Sequence, residues 1–364
     1  MKSKKMLVCI VLVFSLVVLL SACGGGATEQ VTEEPAAEEP VVEEPTAEEP
    51  AMDEPTTFKV AAVVAGTLEE PWYSTSMDSL YKLQENNPYG VEIEIDYSEN
   101  IWGEDSERVM REYAEAGYDL VWSFTGSDSE YIMQIQDDYP DVLFAHSGGG
   151  GTGLGKNSGW VWGFVHEPTY LMGMIAGLMT ETNTIGFVGS FPSDDVNTEA
   201  NAYIQGAKDA NPDVEAKVSF INSWWDPDLA KEATVAQIAA GADFIYPTIF
   251  GAFEAMSEAE ISGFGNYVDQ SEMAPDVIVA SSLLFWDPPA EWLLDLWWEH
   301  ATTGNPYNVQ TEGYYGLMAD GGSDLSLVEE MLPADVIAAV EAKYAEIIDG
   351  SFVVDMDRVP PESD

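Results

Sequence analysis

Few residues in this chain are equipped for chemistry: it holds three histidines and two cysteines among 364 residues. The run from Gly148 to Asn157 comes nearest to a reactive motif, because Gly150 and Gly155-Lys156 meet most of the G-x-x-x-x-G-K-[ST] spacing that cradles phosphate. Asn157 stands where that motif needs a hydroxyl for Mg²⁺. Gly159 to Val165, which follows, reads as a strand, whereas the motif needs a helix N-terminus facing the phosphate. The run therefore reads as a connecting loop. His166-Glu167 lacks the second histidine of H-E-x-x-H, and no G-x-S-x-G elbow occurs. Asp226 and Asp228 could pose as paired carboxylates, but before a helical pattern they read as N-cap and first-turn residues. No nucleophile is assembled with a base, so the expectation is a protein that is not an enzyme, with no cofactor and no metal.

One cysteine has a clear chemical context. Lys2, Lys4 and Lys5 precede an apolar run, Met6 to Leu20, that falls short of the roughly 20 residues a membrane-spanning helix needs. Leu20-Ser21-Ala22-Cys23 follows, and the order reads as a secretory signal over residues 1–22. Its ending resembles a bacterial lipobox, which makes Cys23 the expected site of lipidation. Beyond it, Glu-Glu-Pro, with Asp-Glu-Pro as its last unit, repeats every five residues from Glu33 to Pro55. Proline at that spacing forbids a continuous helix, and the paired carboxylates repel one another. Residues 23–57 are therefore expected to form a disordered acidic tether able to span about 100 Å. The expected location is the extracytoplasmic face of the cell membrane. With Cys9 in the signal and Cys23 acylated, the body has no thiol for a disulfide, a thiolate metal site or a nucleophile.

The elements that must position a site lie in 58–364. The chain carries 65 acidic against 13 basic residues, a net charge of −52, which argues against nucleic acid as a partner. Phe58 to Ala65 is a continuous apolar run of the kind that forms a buried parallel strand. Helix-like and strand-like segments then alternate: helices over 76–86, 104–116, 129–138, 169–180, 199–210, 228–240 and 290–301, with strands between them. Such alternation predicts α/β architecture with two doubly wound parallel-sheet lobes. Lobe 1 is expected over 58–165 with a return segment at about 282–310, and lobe 2 over 166–281 with about 311–355. In such sheets ligands bind beyond the carboxyl ends of the strands.

Taken in order, these segments resemble the basic membrane protein (BMP) family, the PnrA-like substrate-binding lipoproteins of ABC importers. The resemblance rests on Ser127-Asp128-Ser129 before Tyr139-Pro-Asp-Val-Leu-Phe-Ala145, and on Glu167, Tyr170-Leu171, Gly173 and Ala176-Gly177 leading into Ile185-Gly-Phe-Val-Gly189. It continues through Asn211-Pro212, Ser223-Trp-Trp-Asp-Pro227, Gly241-Ala-Asp243, Asp269-Gln270, Ser281-Ser282 and Leu332-Pro333. It implies a type I periplasmic-binding-protein fold, two lobes joined by a hinge, that closes on a small ligand and delivers it to an ABC permease. A monomer is expected.

By position, the resemblance implies Trp72 as a stacking aromatic after the first strand and Asp128 as a binding aspartate after Phe124. Trp225, with Trp224 beside it, would be the aromatic from the second lobe. Phe250 and Gly251 would line the same side, and Asp269 would take sugar hydroxyls. Two departures bear on the ligand. Gly66 to Ser74 lacks the family's Asp-x-Ser-Phe-Asn stretch, and Phe285 stands where the family has a lysine. A nucleoside is the leading expectation, with a sugar or a cationic compound as alternatives. A membrane-tethered sensor for a signalling partner is the alternative function.

Overall fold

The computed structural model describes residues 54–149 and 154–363. The signal, Cys23 and nearly all of the tether lie outside the described residues, as do residues 150–153 of the glycine run. Among the described residues no helix is long and apolar enough to cross a membrane.

The first lobe begins with β1 (Thr57–Val63), α1 (Pro71–Glu85), β2 (Glu92–Ser98), α2 (Glu104–Glu115), β3 (Leu120–Ser123) and α3 (Ser129–Ile135), then β4 (Leu143–Ser147) and β5 (Ser158–Gly163). The second contains α4 (His166–Met179), β6 (Thr184–Gly189), α5 (Asp194–Ala210), β7 (Glu215–Phe220), α6 (Pro227–Ala239), β8 (Phe244–Pro247), α7 (Ala252–Glu258), β9 (Ser262–Gly265) and β10 (Ile278–Leu284). The chain then returns as α8 (Asp287–Thr303) and β11 (Tyr314–Gly316), and ends in β12 (Ser323–Leu327) and α9 (Ala334–Ile348).

The strands form two six-stranded sheets, β11-β5-β4-β3-β1-β2 and β12-β10-β9-β8-β6-β7. Every described pairing is parallel except β10 with β12. Parallel strands covered by helices on both faces must be apolar throughout, and β3, β4, β5 and β8 are buried along their whole length. Strand order reverses between β1 and β3 in the first sheet and between β6 and β8 in the second, which leaves a crevice above each reversal.

The chain crosses between lobes after β5, after β10 and after β11. Glu167, at the first crossing, accepts a hydrogen bond from the Met318 N–H at the third (2.8 Å). The helix α4 packs on α5 at backbone contact: a methyl on Gly173 would sit 2.0 Å from the Tyr203 carbonyl oxygen, and one on Gly206 1.9 Å from that of Tyr170. That close crossing fixes α5, whose first turns face the crevice.

Several helices start earlier than the periodicity predicts. The α1 helix starts at Pro71, because proline at the first helical position gives up only a donor that would be free anyway. The α5 helix starts at Asp194, where Asp194 and Asp195 favour the positive end of the helix dipole. Short α7 and β9 carry too few periodic residues to be read from sequence.

Candidate functional site

Above the β1–β3 reversal, the site is built from the start of α1 and the loop after β3. Trp72 is the second residue of α1, and its indole Nε1 donates to the Phe124 carbonyl just beyond β3 (3.1 Å). Trp286 meets it edge-on at 5.0 Å. The same loop after β3 carries Asp128, which is buried and accepts a hydrogen bond from Ser123 Oγ (2.6 Å) on Oδ2. Its Oδ1 has no partner at close hydrogen-bond distance, although the buried Ser106 hydroxyl lies near enough to favour the charged carboxyl. Burial pushes the Asp128 pKa up to about 6, against the opposing pull of Ser123 and Ser106. Trp72 and Asp128 thus share the end of β3.

In the second lobe the floor of the crevice is a buried polar network. Glu199, in the second turn of α5, accepts from Tyr246 on one oxygen and Tyr267 on the other, each at 2.8 Å. Burial raises its pKa to about 8, although both tyrosine bonds favour the charged form as acceptors and nearby Asp195 opposes it. Asn266, just beyond β9, accepts on Oδ1 from Ser282 (3.0 Å) and lies 2.7 Å from the Tyr246 hydroxyl, whose single proton serves either Glu199 or Asn266, while its Nδ2 has no partner. Tyr267 follows with φ +66°, a left-handed conformation that bulky residues rarely take. Its ring crosses the crevice to Trp72, with centroids 5.5 Å apart and planes at 59°.

The remaining residues singled out from sequence lie elsewhere on lobe 2. Trp224 and Trp225, in the loop after β7, are half exposed. Trp224 packs on Phe191 (5.0 Å) and Trp225 on Phe250 (5.4 Å), so Trp225 and Phe250 do come together, at the ends of β7 and β8. Gly251 has φ +113°, and a methyl there would sit 2.1 Å from the Pro227 carbonyl oxygen, which gives it a packing role. Asp269 accepts from the Ser271 N–H (2.9 Å) and from Ser326 Oγ (2.8 Å) on the edge strand β12. Partial burial pushes Asp269 up, but these bonds outweigh it and hold its pKa below the ordinary value.

Glu199, Asn266 and Tyr267 carried no motif and were not singled out from sequence. Tyr267 lies two residues before Asp269 in the same loop, and that loop was the available signal. Among the described residues no group of three or more His, Cys, Asp or Glu is arranged to hold a metal ion. Burial lowers His166 to a pKa of about 4, so it stays neutral near pH 7. A separate open groove of about 550 Å³, walled by Asp287, Glu291, Trp292 and Tyr314, shares none of the residues above.

Each lobe therefore carries one buried polar atom without a close partner near this aromatic pair, an acceptor on Asp128 and a donor on Asn266. Chains similar to this one include a Haloferax volcanii ABC transporter protein named for glucose binding, TsgA13, at 33% identity over 59% of this chain and 57% of that one. A Brucella abortus protein named as purine-binding is 30% identical over 55% of this chain and 57% of its own. The chain thus spans little more than half the length of these two relatives. Among solved structures, an ABC transporter solute-binding protein from Conexibacter woesei superposes with a TM-score of 0.65 at 20% identity, covering 82% of this chain and 98% of that one; at that identity it speaks for the fold. The model of the Bmp family, the PnrA-like ABC transporter substrate-binding proteins, matches residues 57–290, and the chain belongs to that family.

Proposed function

We propose that this chain is an extracytoplasmic solute receptor, anchored through Cys23, that captures a small uncharged ligand bearing hydroxyl groups between its lobes and passes it to an ABC permease. The observation that carries the reading is the pair of unpartnered atoms at strand ends of opposite lobes, Asp128 Oδ1 and Asn266 Nδ2. Each sits in a residue at most 4% exposed. A buried polar atom without a partner costs about 1–3 kcal/mol, and a ligand that reached these two between the lobes would return that free energy on binding. A hydroxyl is both donor and acceptor, and a vicinal pair can serve both atoms. Nucleosides and sugars share that diol chemistry, and the names of the two relatives above cover both classes.

Calorimetric titration of the purified protein with D-glucose, D-ribose, adenosine and inosine tests capture. At least one is expected to bind and to raise the melting temperature by mass action. Asp128→Ala should weaken that binding at least tenfold. Absence of binding by all four and by related sugars and nucleosides would count against the reading. The anchor has its own test: Cys23→Ser should move the protein from the membrane fraction to the soluble one, and retention in the membrane would refute lipidation there.

A further inference from the structure

We infer that Tyr267 sets the class of ligand this crevice accepts, closing it to the flat ring of a nucleobase and leaving it to a compact polyol such as a monosaccharide or cyclitol. The inference rests on the capture reading above and sharpens it. Three observations converge on this residue. Its backbone sits at φ +66°, where a large side chain is rare, so the surrounding structure must hold it there. Its hydroxyl is tied to Glu199 Oε1 at 2.8 Å, and Glu199 is itself fixed on its other oxygen by Tyr246. Its ring is the element of lobe 2 that touches Trp72 of lobe 1, and Trp72 is pinned by the Phe124 carbonyl and by Trp286.

The spacing decides which ligand fits. A base stacked between two rings needs about 3.5 Å on each face, hence parallel rings about 7 Å apart. Trp72 and Tyr267 stand 5.5 Å apart and 59° from parallel. The face of Trp72 turned towards lobe 2 is met by the protein's own phenol, which leaves no parallel slot of that width between these two rings. With the lobes as they stand here, neither ring can turn aside within its own lobe without breaking a part-buried hydrogen bond, Trp72 to Phe124 or Tyr267 to Glu199. What a ligand could still gain there is hydrogen bonding to the buried, unpartnered Asp128 Oδ1 and Asn266 Nδ2. A site built to bond hydroxyls discriminates strongly against ligands that leave those atoms unpaired.

The test compares D-glucose, D-ribose and myo-inositol with adenosine, inosine and guanosine by calorimetry, on wild type, Tyr267→Asn, Tyr267→Phe and Trp72→Leu. Asparagine tolerates a left-handed backbone, so Tyr267→Asn removes the ring with least disturbance of the turn. Wild type should bind a sugar or cyclitol at least 100-fold more tightly than any nucleoside. Tyr267→Asn should narrow that ratio at least tenfold by gaining nucleoside affinity, whereas Tyr267→Phe, which keeps the ring, should preserve it. If circular dichroism shows Tyr267→Asn unfolded, Trp72→Leu opens the same slot from the other lobe and should narrow the ratio likewise. A wild-type protein that prefers a nucleoside overturns the role of Tyr267 and leaves capture in the crevice standing. An unchanged ratio in both slot-opening variants also overturns it, and binding of nothing in either panel overturns both readings.

Discussion

Glu199 accepts a hydrogen bond on each oxygen, from Tyr246 and Tyr267, yet burial still raises its pKa to about 8 from an ordinary 4.5. Desolvation outweighs two charge-assisted bonds because the side chain is nearly sealed from water and Asp195 lies one turn away. The sign of the pH dependence follows. A carboxyl with a raised folded-state pKa supports folding fully below about pH 4.5 and loses that support as pH rises towards 8. Asp128 acts in the same direction, over the window that ends near pH 6. Chemical denaturation should therefore give decreasing stability from pH 5 to pH 8, and Glu199→Gln should flatten the slope by up to about 1.4 kcal/mol per pH unit. Parallel slopes for the two proteins would show that Glu199 titrates normally. None of this was legible in the sequence. Tyr267 and Glu199 lie 68 positions apart, and only the meeting of the β9 loop with α5 makes them partners. Asp128 and Trp72 were singled out only through the family resemblance, by their places after Phe124 and after the first strand.

At the scale of elements, the alternation of apolar runs with helical periods was enough to call two wound sheets, since each strand and helix carries its own period. The segments missed were those whose stability comes from neighbours. The strand β9 has glycine at two of its four positions and is held by β8 and β10. The segment after α9 is another such case. Asn201 binds the carbonyls of Asp357 (2.9 Å) and Val359 (2.8 Å), and Asn197 that of Arg358 (3.0 Å), which lays this segment along α5 in lobe 2. Arg358 then reaches the β5 region of lobe 1, its guanidinium 5.4–5.8 Å from the rings of Trp160, Trp162 and Phe164. The segment straps one lobe to the other beside the crossing after β5. Cation–π contacts of partly exposed arginines are worth about 0.5–1 kcal/mol each. Arg358→Ala should accordingly lower the unfolding free energy by about 1–2 kcal/mol and weaken ligand binding several-fold by loosening the link between the lobes. Denaturant titration and calorimetry read the two effects. Loss of stability with unchanged affinity would separate the strap from closure.

For the whole molecule, the governing quantity is a net charge of −52, with 65 acidic residues facing 13 basic ones. The described ion pairs are mostly exposed, as in Arg108 with Asp105 and Glu112 or Lys231 with Glu254, and such pairs contribute little. Most carboxylates have no cation to meet. Repulsion among them opposes the compact state, because unfolding lets the charges move apart. Salt shortens the range of that repulsion from about 10 Å at 0.1 M to about 3 Å at 1 M. The melting temperature should therefore climb steeply as NaCl rises from about 0.05 M to about 1 M, and then flatten once screening is complete. A general strengthening of apolar burial by excluded salts would instead keep climbing with concentration, most of all with sulfate. Scanning calorimetry in NaCl and in sodium sulfate at matched ionic strength separates the two. Coincident curves that level off would assign the effect to screening, and a melting temperature that falls with NaCl would show that the surviving ion pairs outweigh the repulsion.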